Sequence, residues 1–374
     1  MPLKIENILA KAKERAIHPI NEIIQYDLMS NLYNLTFKPI TRFLYFFYKT
    51  LILIIVFQIL YFSLSTKVKA EENFTTWLSS YKNFALNNGV SQETIDRTFV
   101  NIKFIEQVIK YDRKQPEFYE DTATYVKKRA NIIRVKRAKK LLKKNNKLFI
   151  EVEKKFSVEK EILLALWGIE TNFGKHVGKM DILSCLATLS FDKRRSEFFS
   201  SQLLTLLKLI DKKLIDPDTL YGSWAGAYGN FQFMPSSIKR YAIDYDNNNK
   251  IELKDSLNDS LASAANYINS IGWNKGEPCF FRVKLTSKIN KKYINSSART
   301  ISNRLSVKKW IKKGVISYDG SDLKTNLKAA LVIPDGKLGT PTFLVFNNYE
   351  KILNWNRSLR FGISVCTLAN LIKT

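Results

Sequence analysis

Residues 162–191 constrain the fold of this chain more than any other stretch. They read ILLALWGIETNFGKHVGKMDILSCLATLSF, which is two apolar segments separated by a turn that contains Gly174 and Gly178. Apolar residues of the first segment recur at helical spacing, and this pattern predicts a helix over residues 158–169. The second segment predicts a helix over residues 181–189. The stretch therefore predicts a helical pair joined by a glycine-containing turn.

Glu170 is the only glutamate of this stretch, and it lies at the C-terminal end of the first predicted helix. Leu163, Leu166 and Trp167 precede it by seven, four and three positions, so the helical period places its carboxylate beside an apolar, aromatic strip. Partial desolvation raises the pKa of a carboxyl group toward the range that a general acid needs. Glu170 is therefore the candidate catalytic acid. An exposed glutamate at a helix terminus is the alternative that periodicity alone allows.

Three sequence blocks follow one another in a recognisable order and spacing. They are DRKQPEF at residues 112–118, ETNFG at 170–174 with ATLSF at 187–191, and GSWAGAYGNFQFMPSS at 222–237. Together they resemble the membrane-bound lytic murein transglycosylase B family, from about residue 74 to the C-terminus. The resemblance implies an α+β fold that is mainly α, with a lysozyme-like catalytic core, a flanking helical domain and a small inserted β unit.

The same resemblance implies an activity. The expected reaction is cleavage of the MurNAc-β-1,4-GlcNAc bond of peptidoglycan with formation of 1,6-anhydro-MurNAc, with Glu170 as the single general acid and base and no cofactor for catalysis. Ordinary glycosidases use two flanking carboxylates, and no second one adjoins Glu170 in the sequence. Two alternatives stay open, namely a hydrolytic lysozyme-type muramidase and an inactive scaffold protein that binds peptidoglycan.

The loop at residues 222–237 predicts a ligand surface. Its glycines allow close approach to the backbone, and its aromatic residues offer flat faces to sugar rings. By resemblance, Ser223 and Gln232 bond the substrate or orient Glu170. The resemblance assigns a set of aromatic residues to the sugar subsites, namely Tyr228, Phe231, Phe233 and Tyr267.

Two further pairs resemble functional residues of the family. Arg194 and Arg195 match an arginine pair that would hold carboxylates of the glycan, since Arg binds carboxylates bidentately. A salt bridge at a helix start is the alternative.

Trp355 and Asn356 match the C-terminal segment that closes the cleft. The family usually has Tyr-Asn there, so the tryptophan predicts the loss of a hydroxyl contact and the retention of stacking.

Residues 244–255, DYDNNNKIELKD, have the spacing of an EF-hand calcium loop. Position 6 is Asn249 where the pattern has glycine, and asparagine tolerates the left-handed conformation that this position needs. The expected role is a structural calcium or sodium site, and a polar turn is the alternative. The candidate ligands are Asp244, Asp246, Asn248, Lys250 and Asp255.

The N-terminal segment, residues 1–70, predicts an export signal or a membrane anchor with an N-terminal extension. Residues 50–66 form an uncharged run of 17 residues, and the sequence VKA at 68–70 resembles a signal cleavage site. An uncleaved anchor in the inner membrane is the alternative, since this length is near the lower limit for a span. The expected location is the periplasm. Residues 1–28 predict either a start at Met29 or a cytoplasmic extension.

The formal net charge of +26 indicates an anionic partner. This positive charge would attract nucleic acid, anionic lipid or the carboxylates of peptidoglycan. The export signal argues against nucleic acid. The expected partners are peptidoglycan glycan strands, the membrane if the N-terminal segment is uncleaved, and other cell-wall enzymes.

The cysteines are odd in number and scattered, which indicates no disulfide framework; they are Cys185, Cys279 and Cys366.

The predicted domain organisation combines these observations. After the N-terminal segment come a helical domain at 71–157, the lysozyme-like core with its EF-hand-like loop at 158–275, a small β module at 276–346 and a C-terminal segment at 347–374 that returns to the core.

Overall fold

The computed structural model describes residues 38–113 and 120–374. The predictions for Met29, residues 1–28 and Glu117 lie outside these residues. The chain divides into two compact units, Met1–Glu72 and Asn73–Thr374. Within the described part of the chain, no helix combines the length and the apolarity that a membrane crossing requires.

Helices dominate the structure, which confirms the mainly α class. The helices before the candidate site are α1 (Lys38–Asn87), α2 (Gln92–Phe99), α3 (Glu106–Asp112), α4 (Thr122–Arg129), α5 (Ile132–Lys144) and α6 (Asn146–Phe156). The helices of the predicted core are α7 (Lys160–Thr171), α8 (Ile182–Phe191), α9 (Ser196–Asp211), α10 (Pro235–Tyr241) and α11 (Leu257–Ser270). Three helices follow, α12 (Val307–Lys312), α13 (Asn347–Trp355) and α14 (Leu359–Lys373).

Side-chain caps fix where several helices begin. The Asp181 carboxylate accepts from the Ser184 N–H at 2.6 Å and starts α8 one residue after the expected position. The hydroxyls of Ser91 and Ser306 cap α2 and α12 in the same way. Pro235 occupies the first turn of α10, where its missing N–H costs nothing. The helices predicted at 158–169 and 181–189 begin within two residues of their expected positions.

Among the described residues, the strands form one small sheet and one separate antiparallel pair, β1 with β2. The strands are β1 (Met180–Asp181), β2 (Tyr221–Gly222), β3 (Phe280–Leu285), β4 (Ile294–Asn295), β5 (Leu305–Ser306), β6 (Val315–Ser317), β7 (Lys328–Val332) and β8 (Thr342–Val345). The sheet has the order β4-β7-β8-β3-β6, with β5 paired to β7. All its pairs are antiparallel except β4 with β7. The predicted small β unit is therefore present.

Two clusters of buried residues hold the second unit together. The larger runs from Phe74 to Ile372 and includes α7 and α8, which are apolar on nearly every side. The smaller lies within the β unit around Trp310. Helix α14 packs against α7 and α4, so the C-terminal segment returns to the core. One core therefore crosses the expected boundary at residue 158.

The cysteines differ from expectation. Cys279, directly before β3, forms a disulfide with Cys366 in α14, across a sequence separation of 87 residues. Cys185 is the buried free cysteine. The inference that the cysteines indicate no disulfide framework was therefore wrong, because pairing depends on distance in the fold and the sequence spacing carries no sign of it.

Candidate active site

Helix α7 carries Glu170 in its last turn, where the side chain is half-buried. The helix ends because Asn172 and Phe173 adopt left-handed backbone conformations, with φ of 50° and 59°. The Thr171 hydroxyl fixes this end: it donates to the Asn230 carbonyl at 2.8 Å and accepts from the Gly174 N–H at 2.9 Å. The position of Glu170 is therefore set by a buried helix and by a bond to the loop at 222–237.

Trp355, the last residue of α13, contacts Glu170 directly. Its indole Nε1–H donates to Glu170 Oε1 at 2.9 Å. The ring also stacks on Tyr267, with centroids 4.8 Å apart and an interplanar angle of 23°. Tyr267 in turn stacks on Tyr241 at 4.2 Å. The indole thus stacks within the protein and donates to Glu170, and its stacking on a substrate stays a prediction.

The aromatic residues expected at the subsites do not share one environment. Tyr267 is half-buried, and its hydroxyl donates to the Asn354 carbonyl at 3.1 Å. Phe231, Phe233 and Tyr228 are almost wholly buried, so they have little ring surface to offer a ligand. Phe231 and Phe233 pack behind Trp355, with ring centroids 6.4 and 5.4 Å away. Phe231 and Phe233 therefore support Trp355 in this structure, and the contact of the three buried residues with a substrate stays a prediction.

Ser223 and Gln232 both stabilise the loop at 222–237. The Ser223 hydroxyl accepts from the Ala227 N–H at 3.0 Å. Gln232 adopts φ of 53°, and its amide donates to the carbonyls of Val177 at 3.2 Å and Gly229 at 3.0 Å. Both residues are half-buried. The structure shows them bonded within the loop, and their contact with substrate stays a prediction.

Arg194 and Arg195 lie together at the start of α9, and both bond Asp112. Arg194 donates to Asp112 Oδ2 at 2.6 Å, and Arg195 pairs with Asp112 Oδ1. Asp112 is 1% exposed, so this ion cluster neutralises a buried carboxylate. The salt bridges of the alternative are present, and binding of glycan carboxylates by the two arginines stays a prediction.

Asn356 lies immediately after Trp355 and ends α13. Its N–H donates to the Ile352 carbonyl at 3.1 Å, and its own carbonyl accepts from the Ser358 N–H at 2.8 Å. The residue is half-buried. These backbone bonds hold the turn between α13 and α14, which presents Trp355 toward Glu170.

The EF-hand-like loop and the start of α11 bring three carboxylates together. Two of them belong to the expected ligand set. Oxygens of Asp244, Asp246 and Asp259 lie within 4.8 Å of one another. Asp259 is buried, and burial, followed by the charges of the other two, raises its pKa. A cation there would offset the repulsion among three carboxylates, so this oxygen donor set fits calcium.

The other expected ligands are placed differently. The Asn248 amide donates to Glu252 at 2.9 Å, and its oxygen accepts from the Lys250 N–H at 2.9 Å. Asp255 is exposed and is not part of the carboxylate group. Asn249 has φ of 67°, as expected for position 6 of the loop. Asp259, buried near the start of α11, is the third carboxylate of this group, and a ligand role for Asp255 stays a prediction.

A half-buried glutamate at the end of a buried helix, faced by an indole and supported by an aromatic cluster, places the domain in the lysozyme-like class. The family described as the transglycosylase SLT domain matches residues 73–370. Since that range covers most of the chain, the chain belongs to this family.

Relatives agree with this assignment. The Escherichia coli K12 membrane-bound lytic murein transglycosylase B is 46% identical over 123 residues, which is 33% of this chain and 34% of the relative. The match therefore spans about a third of that curated relative. SltB3 from Pseudomonas aeruginosa, solved with NAG-anhNAM-pentapeptide, has a TM-score of 0.74 and 32% identity over 80% of this chain and 79% of its own. E. coli Slt35, solved with calcium, has a TM-score of 0.68 and 26% identity over 79% and 92%.

Sequence reasoning missed two structural features of the candidate sites. Asp259 lies outside the twelve-residue loop pattern, but Ser256 followed three positions later by an acid was a capping signal that pointed to it. The donor role of Trp355 had no local signal, because Glu170 is 185 residues away.

Proposed function

We propose that this chain is a lytic transglycosylase that cleaves the MurNAc-β-1,4-GlcNAc bond of peptidoglycan, with Glu170 as the single acid and base. The observation that carries the proposal is the placement of Glu170, a half-buried carboxyl held by an indole N–H at the edge of a stacked aromatic group. Family membership supports the reaction class. SltB3 has been solved with an anhydro fragment, the product type of this reaction.

The proposed chemistry needs one carboxyl group in two protonation states. Glu170 gives its proton to the glycosidic oxygen as the C1–O4 bond breaks. The resulting carboxylate takes the proton of the C6 hydroxyl on the same MurNAc, and O6 bonds to C1. The 1,6-anhydro ring forms, no water is consumed, and Glu170 is protonated again. The Trp355 N–H favours the carboxylate that exists between the two transfers.

Stacked aromatic faces suit the sugar rings on either side of the broken bond. Trp355 and Tyr267 supply half-buried faces beside Glu170. We assign them to the sugar subsites, with Asn356 at the same edge. Ser223 and Gln232 would then shape the loop that faces the sugar, as their bonds within it suggest.

We further propose that the EF-hand-like loop binds calcium through Asp244, Asp246 and Asp259. The grouping of their oxygens supports this assignment, and Slt35 has been solved in complex with calcium. The ion would stabilise the fold and take no part in catalysis.

The proposed location is the periplasm, with export directed by residues 1–70. The Cys279–Cys366 disulfide supports it, because such bonds persist in oxidising compartments. The E. coli relative is described as membrane-bound. Retention of residues 1–70 as a membrane anchor is the alternative to cleavage, and determining the N-terminal residue of the mature protein distinguishes the two.

Muropeptide mass spectrometry tests the activity. Purified peptidoglycan is digested with the protein and with its Glu170→Gln variant. Products lighter than hydrolytic ones by the mass of one water, absent with the variant, are expected. Products with free reducing ends would instead show a hydrolytic muramidase, and no cleavage by either protein would show a binding scaffold.

A further inference from the structure

The β unit contains a cleft of about 720 Å³ whose charged lining is wholly basic. We call it the β-unit cleft. Its charged residues are Arg282, Lys284 and Lys288, and no acidic side chain lines it among the residues that the structure describes. The rest of the lining is apolar or hydroxyl-bearing and includes Tyr318, Leu338 and Pro341. None of the candidate active-site residues belongs to it.

The register of the sheet creates this cleft. Strand β3 pairs with β8 only as far as Val283 opposite Thr342, and beyond that point β3 continues with β6 alone. Residues 338–341 therefore stand opposite residues 284–288 as a second wall. Side chains alternate along a strand. Val283 belongs to the β-unit core, and so Arg282 and Lys284 share the opposite, exposed face.

An aromatic ring holds two of the cations. Arg282 lies over the Tyr318 ring at 3.6 Å from its centroid, and Lys284 lies over the same ring at 4.6 Å. The neighbouring Asp319 bonds the hydroxyl of Ser317 at 2.6 Å and the N–H of Ser321 at 3.0 Å. Among described residues, no carboxylate lies within 4.0 Å of Arg282, Lys284 or Lys288. The three cations thus face the cleft with their charges unmatched by an acid.

We propose that the β-unit cleft binds the carboxylates of peptidoglycan peptide stems and so forms a second contact with the wall, separate from Glu170. Arg binds carboxylates bidentately, and a basic cleft concentrates anions. Its volume is in the range of sites for compact ligands. The concave shape and the exposed side chain of Leu338 fit a peptide with aliphatic side chains better than a flat lipid surface. This inference rests on peptidoglycan being the substrate.

Co-sedimentation with purified sacculi tests the inference without relying on cleavage. Every protein is the full chain with Glu170→Gln, so that the sacculi stay intact. One variant adds Arg282→Gln, Lys284→Gln and Lys288→Gln. A matched control removes the same charge from exposed lysines outside the cleft, namely Lys308, Lys309 and Lys312. Sacculi are used intact and after an amidase has removed their peptide stems.

The cleft variant is expected to bind intact sacculi about tenfold more weakly, a loss of about 1.4 kcal/mol. Its binding to stem-free glycan should equal that of the control, and the control should bind both as the parent does. Equal weakening by the two triple variants would overturn the inference, as would weakening that persists on stem-free glycan. Selective loss of binding to phosphatidylglycerol vesicles, with sacculus binding kept, would identify lipid phosphate instead. A failure of the proposed reaction would appear in the muropeptide products and would leave this co-sedimentation result unchanged.

Discussion

The indole N–H of Trp355 and the carboxylate of Glu170 form a direct hydrogen bond at 2.9 Å between two ends of the domain core. An indole can donate but cannot accept or lose a proton at physiological pH. Unlike a tyrosine hydroxyl, it cannot accept the proton of the protonated glutamate, and it bonds the carboxylate more strongly than the protonated acid. This one-sided contact makes the pH dependence of catalysis a test of the site.

Replacing Trp355 with Phe keeps a stacking ring and removes the donor. Since the N–H stabilises the carboxylate, its loss favours the protonated acid, and the alkaline limb of the pH–rate profile should move up by about 1 pH unit. Turnover should fall as Glu170 loses its orientation. Tyr267→Phe is the matched control, because it removes a hydroxyl that bonds the Asn354 carbonyl. An unmoved limb in Trp355→Phe would argue against the positioning role.

Thiol titration checks the disulfide. Cys185 is buried, and burial raises the pKa of its thiol to about 12, so the native protein should show no rapidly reacting thiol. Unfolding without reductant should expose one thiol, and unfolding with reductant should expose three. Three thiols before reduction would refute the Cys279–Cys366 bond. Cys366→Ser should lower the free energy of unfolding by about 2–4 kcal/mol.

Calcium should raise the melting temperature of the protein. At a calcium concentration 100 times Kd, binding adds about 2.7 kcal/mol to the free energy of unfolding. Asp246→Asn should abolish this effect and leave glycan cleavage with calcium-free protein unchanged. Asp322→Asn, which alters an exposed acid paired with Lys324, is the control. A calcium response that survives in Asp246→Asn would place the ion elsewhere.

Asp211 connects α9 to the start of α2. Bonds from Ser91 and then Thr94 lower the pKa of its carboxyl group. A lowered folded-state pKa contributes stability above the ordinary carboxyl value of about 4, and this stability is lost as pH falls through the folded-state value. Asp211→Asn should therefore cost about 1 kcal/mol at pH 7, a value discounted for solvent access.

Urea unfolding at two pH values measures this effect. The difference between Asp211→Asn and the parent should shrink steadily below pH 4. A difference of constant size across that range would mean that the charge of Asp211 contributes nothing.

Gly178 lies in the turn after Glu170 and packs against the loop at 222–237. It has φ of 90°, and a Cβ there would lie 2.0 Å from the Gly222 carbonyl oxygen. Gly178→Ala should cost about 3 kcal/mol and reduce activity, since backbone must move. Gly89 has a similar φ of 84° with open space around it, so Gly89→Ala should cost about 1 kcal/mol. Thermal unfolding compares the two, and equal costs would exclude the close packing as the cause.

The sequence predicted local structure well where the signal was local. The apolar periods of α7 and α8 specify these helices through their own neighbours. The left-handed Asn249 was foreseen for the same reason.

Contacts between distant residues could not be predicted from the sequence. The burial of Phe231 and Phe233 depends on packing that includes Trp355, and the partner of Arg194 and Arg195 depends on where α3 lies. A motif states which residues occur near a site. It does not state which of them face the ligand, because that is decided by packing across the whole domain.

The bond between Glu170 and Trp355 has a consequence for the order of events in the life of the chain. The acid emerges from the ribosome 185 residues before its indole partner. Any nascent or truncated chain that ends before Trp355 therefore carries the acid without its donor, and it also lacks α14, which packs against the helix that bears Glu170. Glu170 thus gains its donor and the packing of α14 only after residues far along the chain have been added.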